Sequence, residues 1–140
     1  MQISVHTFNA ALEKAHSWIK ELKEIGNFVD DNQSYSVLRA VLHALRDRLV
    51  AAESVDLGAQ LPMFIRGFYY EGWNIHAPRR EHSKEEFLAS IRKELRNAAT
   101  RIDVESATCA VFSLLENKIS NGEIKDVKNM LPPSIRELWE

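Results

Sequence analysis

One cysteine, Cys109, is all the chain contains, which excludes an intrachain disulfide and the common cysteine–histidine zinc patterns. Glycine is scarce, at five residues, and no glycine-rich phosphate loop can be built from them. There is no His-Glu-x-x-His, no Cys-x-x-Cys and no aspartate-rich calcium loop. Nothing approaches the ~20 consecutive apolar residues of a membrane span. The opening Met-Gln-Ile-Ser-Val-His lacks a basic region followed by an apolar run. Neither charge sign dominates: the net charge of −2 gives no broad basic surface for nucleic acid. These absences point to a cytoplasmic location and to a protein without membrane contact, metal, cofactor or catalytic constellation.

What is present is ordinary for a soluble globular protein, with 45% hydrophobic and 27% charged residues. At 140 residues the chain can bury roughly two-thirds of its unfolded surface, enough to fold without a staple. The most informative feature is internal. Residues 40–69 align without a gap to residues 110–139, and nine of those 30 columns are identical. They are Ala40/Ala110, Val41/Val111, Leu45/Leu115, Glu53/Glu123, Asp56/Asp126, Leu61/Leu131, Pro62/Pro132, Ile65/Ile135 and Arg66/Arg136. Ordinary residue usage would give about two by chance.

Hydrophobic periodicity is helical throughout. Val5, Phe8, Leu12, Ala15, Ile19 and Leu22 form the first helix, and Gly26 offers a stop. The turn-rich Asp30–Ser34 precedes a second helix with Leu38, Val41, Leu42, Leu45 and Leu49 on one face. A short helix follows over about Glu53 to Gln60, then a fourth with Pro62 in its first turn, running towards Tyr70. Ser83-Lys84-Glu85-Glu86 is a capping box for a helix carrying Phe87, Leu88, Ile91 and Leu95. Asp103 N-caps the next, Ser120-Asn121-Gly122-Glu123 is a second capping box, and Leu131-Pro132-Pro133 opens the last. The expected fold is a single all-α domain over 1–140: a closed bundle of two pseudo-symmetric repeats. Each repeat runs helix, helix, short helix, Leu-Pro, short helix. They span approximately 1–72 and 79–140, joined by a linker at 71–82.

Two stretches carry a family resemblance. One is Leu38 to Leu49; the other is Gly58-Ala59-Gln60-Leu61-Pro62 running on through Arg66 to Trp73, with Gly122-Glu123 and Leu131-Pro132 as a closing motif. In these the chain resembles the bacterial DUF2267 family. The resemblance implies an all-helical prokaryotic cytosolic protein and supplies no activity, so no catalytic residue is carried over.

The repeat also sorts residues. A side chain present in both copies serves packing before function, since a single site needs it once. Arg66 and Arg136 are therefore expected to bond back to an acid of the preceding helix or to its C-terminal carbonyls. Arg39, His43 and Arg46 lie at i, i+4 and i+7, with Cys109, Ser113 and Glu116 as counterparts. That stripe reads either as a solvated face or, with Gln60, as an anion site. Tyr70 and Trp73 have no counterpart and border the linker; they are wedges between the halves or a hot spot for a protein partner. Cys109 reads as a small buried hydrophobe. His76 and His82 lack the spacing of a helical metal pair, and acids follow closely on Arg79-Arg80, which disfavours nucleic acid. The functional expectation is a non-catalytic protein-binding or regulatory module, with homo-oligomerisation open to it. The alternative is a small-anion or metabolite-binding protein, or small enzyme, using the Arg39/His43/Arg46 face.

Overall fold

Eight α-helices and no strand are found among the residues that the computed structural model describes, 5–78, 83–96 and 102–140. They are α1 (His6–Gly26), α2 (Asp31–Arg46), α3 (Ala51–Ala59), α4 (Met63–Tyr70), α5 (Lys84–Leu95), α6 (Val104–Lys118), α7 (Asn121–Asn129) and α8 (Pro133–Arg136). A 3₁₀ turn, Glu137–Trp139, closes the order. None of the helices is long and apolar enough to cross a membrane. Arg79, Arg80 and His82 lie outside the described residues.

The caps show why the helices begin where they do. The side chains of Asp30, Ser83, Asp103 and Ser120 each accept a backbone N–H of the first turn, from Gln33, Glu86, Glu105 and Ser106, and Glu123 respectively. Three boundaries depart from the periodicity. Asp31–Ser34 already belong to α2, because Asp30 caps Gln33 while the Gln33 side chain accepts from Val29 N–H. The left-handed residue ending α1 is Asn27, at φ 55°, and Gly26 is the last helical residue. Gly26 is small for a different reason: a Cβ there would run into the Phe28 ring. Pro62 and Pro132 occupy the extended position just before their helices, at φ −61° and −68°, where the missing N–H costs nothing.

The core is centred on α2, which packs against α1, α4, α5 and α6. Val37, Leu38, Val41, Leu42 and Leu45 are all fully buried, and burying each such side chain stabilises by about 1.5–3 kcal/mol. Opposite them α6 contributes Val111, Phe112, Leu114 and Leu115, and Phe112 stacks on Trp139 at 4.0 Å between ring centroids. Trp18 and Leu22 of α1 close the core where that helix meets α2 and α6.

Candidate functional site

The Arg39/His43/Arg46 stripe is not a solvated face. His43 and Arg46 are only 7% and 5% exposed, because α4, the turn after it and α5 cover this side of α2. Arg46 donates to the carbonyls of Tyr69 (2.7 Å) and Glu71 (2.9 Å) and to the Asp47 carboxylate (3.0 Å). His43 Nε2 lies 2.6 Å from the Phe68 carbonyl, an acceptor only, so this nitrogen donates. Its Nδ1 faces the Glu94 carboxylate at 3.1 Å. Arg39 pairs with Glu71 (2.9 Å) and Glu94 (3.3 Å). Three residues spaced along α2 thus fasten the C-terminal end of α4 and the last turn of α5. Burial pushes the Glu94 carboxyl up, but its bond with His43 and the fields of His43, Arg39 and Arg46 outweigh this and hold it below the usual glutamate range.

Arg48 makes a second clamp to α5. It is fully buried, donates to Ala44 O, Glu86 O and Ser90 Oγ, and lies 5.1 Å from the centre of the Phe87 ring. Beside His43 an open cleft of about 430 Å³ is lined by Ala40, Asp47, Ser90, Lys93 and Arg96 among others. Gln60 shares no partner with this group. Its Oε1 accepts from Ser120 N–H (2.9 Å) and its Nε2 donates to Ser120 Oγ (3.0 Å), tying the end of α3 to the start of α7.

That bond changes the reading of the second capping box. Ser120 caps Glu123 N–H as expected, but the return bond to Ser120 N–H comes from Gln60 rather than from the Glu123 side chain. Glu123 is left free to turn towards Glu53. Both are 8% exposed, and one oxygen of Glu53, Asp56 and Glu123 each falls within 4.8 Å of the others. Burial, then the hydrogen bond with Glu53 and the charges of Glu53, Asp56 and Asp126, pushes the Glu123 carboxyl up to about 8. The arginines do not relieve this cluster. Arg66 donates to the carbonyls of Gly58, Ala59 and Leu61, and Arg136 to those of Lys128 and Leu131. Of the two partners expected for them, the structure selects the helix-end carbonyls.

Tyr70 is half-buried and lies over α3, where a Cβ at Gly58 would strike its hydroxyl end. Trp73, also half-buried, stacks on it at 5.6 Å and borders a cleft of about 170 Å³ with Val50, Ile75 and Pro78. Tyr69 is fully buried and donates to Ser54 O at 2.7 Å. Cys109 packs partly buried against the core, which pushes its thiol up and away from nucleophilic use. His76 is exposed.

Further exposed apolar side chains lie along α1 and at the start of α4. Val5, Phe8 and Leu12 of the first helical seam are 44%, 59% and 46% exposed, and Met63 and Phe64 at the start of α4 are exposed as well. Ala11, Trp18, Met63 and Pro62 line one shallow groove together with the cations Lys14, Arg66 and Lys118, which places the start of α4 beside α1. Compared with known proteins, residues 15–138 match the family described as Uncharacterized conserved protein (DUF2267). No curated protein matches the chain.

Proposed function

The chain belongs to the DUF2267 family, and from that premise we propose that it is a non-catalytic protein-binding module which docks through the uncovered part of α1. The observation that carries this is the continuity of one seam. Val5, Phe8, Leu12, Ala15, Ile19 and Leu22 follow the alternating three–four spacing of a helix-pairing stripe. From Ala15 onward the stripe is covered by the core; from Leu12 back to Val5 it faces solvent for two turns. The positions flanking its exposed part, Asn9 and Ala11, carry no charge, so a second copy meets no like-charge repulsion there. The occupant is accordingly another copy of this chain, paired helix against helix, with Met63 and Phe64 widening the contact. The Tyr70–Trp73 pair, with Val50 and Ile75 exposed beside it, is a second and smaller surface of the same kind.

Sedimentation equilibrium of the wild type and of Phe8→Glu/Leu12→Glu tests the reading. The wild type is expected to show a concentration-dependent dimer and the variant a monomer with an unchanged melting curve. A monomeric wild type, or a variant that still dimerises, removes the α1 surface.

The structural halves are part of the same proposal. α3 and α7 are nine residues each and start 70 positions apart. Arg66 and Arg136 bond carbonyls eight and five residues back in each case. These matches support two pseudo-symmetric repeats closed on each other. A second reading, a small-anion site on the Arg39/His43/Arg46 face, has in its favour the cleft beside His43 with Ser90, Lys93 and Arg96 around it. Phosphate that leaves the melting temperature unchanged removes that reading.

A further inference from the structure

We propose that Glu53, Asp56 and Glu123 form a binding site for one hard divalent cation, of the Mg²⁺, Mn²⁺ or Ca²⁺ class, that clasps α3 to α7. Three facts converge on it. The spacing of Glu53 and Asp56, three residues apart on α3, sets both on one helix face, and α7 brings Glu123 to meet them. Their oxygens fall within 4.8 Å of one another, close enough that a small inward shift of the side chains brings all three to metal–oxygen bonds of roughly 2.0–2.6 Å around a single ion. Beside the clustering, Oε2 of Glu53 and Oε2 of Glu123 are cut off from solvent and take no hydrogen bond from an N–H or O–H group of any other described residue, each residue being more than nine-tenths buried; the bond between the two glutamates themselves needs a proton on one of them. A buried carboxylate oxygen left in that state costs free energy and is ordinarily met by a donor or a metal.

The chemistry of the set selects the ion. All three donors are carboxylates, with neither nitrogen nor sulfur among them, which suits hard cations over zinc or copper. Asp56 is exposed and admits water to complete the coordination shell. Asp126, whose charge is felt at Glu123, adds negative field. Arg66 makes its hydrogen bonds with the carbonyls of Gly58, Ala59 and Leu61 and forms no ion pair with the cluster. A proton shared between the two glutamates is the competing occupant. It would bridge the pair and leave the exposed Asp56 to water.

Titration with Mn²⁺, followed by the loss of the free-ion electron paramagnetic resonance signal, separates the two. Wild-type protein is expected to bind one Mn²⁺ with a dissociation constant on the order of 10⁻⁴ M and to release it to Ca²⁺ or Mg²⁺. Glu53→Gln/Glu123→Gln should weaken binding by about tenfold or more, while melting at or above the wild-type temperature without metal. Asp56→Asn, at an exposed position, serves as the variant whose folding is not in question and should also weaken binding. An undiminished Mn²⁺ signal with wild-type protein, or equal binding by wild type and Asp56→Asn, overturns the site and leaves the shared proton.

Discussion

At the scale of single residues, burial decides what each polar side chain is for. Arg46 and His43 are charged or polar groups on the wrong side of α2 by periodicity, yet they are buried because the end of α4 and the turn after it present three carbonyls that need donors. Glu94 completes that set, and its lowered carboxyl makes a prediction about acid. A carboxyl held below its unfolded value contributes stability above the ordinary glutamate range. The contribution is lost as pH falls below about 4.3 and through the lower folded value. Denaturant melts of the wild type should therefore weaken through that acid window, and those of Glu94→Gln should weaken less steeply. At neutral pH Glu94→Gln is expected to cost about 1–2 kcal/mol, the loss of charge-assisted bonds to His43 and Arg39. Equal acid slopes would show that the contact does not depend on the charge of Glu94. Neither Glu94 nor Glu71 stood out in the sequence. They are ordinary surface acids until the fold sets them against α2.

At the scale of elements, the most legible features were those encoded within a few residues. Ser83 and Asp103 cap the helices that their spacing marks, and the Leu-Pro pairs start the helices that follow them. Arg66 and Arg136 belong to this local class, since each reaches carbonyls only five and eight residues back. Arg66→Ala and Arg136→Ala should each lower stability by about 1–2 kcal/mol, measured by urea denaturation. A loss confined to one of them would mean that the matched bonds do unmatched work. The start of α7 was less legible. Its Glu123 has the right spacing for a capping box, but a side chain 60 residues away takes that bond, and no local pattern announces such a competitor.

At the scale of the whole molecule, Gln60 and Ser120 join α3 to α7 by two hydrogen bonds beside the buried carboxylates. Gln60→Ala should cost about 1 kcal/mol, and Ser120→Ala added to it should cost less than the sum of the single changes, because the two residues share one contact. Strict additivity in thermal melts would separate them. The repeat assigns Glu53 and Glu123 to packing as residues needed twice, a rule that fails when both copies meet at one place. Periodicity and caps alone determined the all-α class and nearly every helix, because those depend on neighbours three and four residues apart, while the family resemblance rested on the particular residues of Leu38 to Leu49 and Gly58 to Trp73. Tertiary structure alone decided that the α2 stripe is buried, that two glutamates face each other and that the seam of α1 stays half uncovered. Each of these depends on which distant helix lies alongside, and burial, hydrogen bonding and charge act through that proximity whatever the separation along the chain.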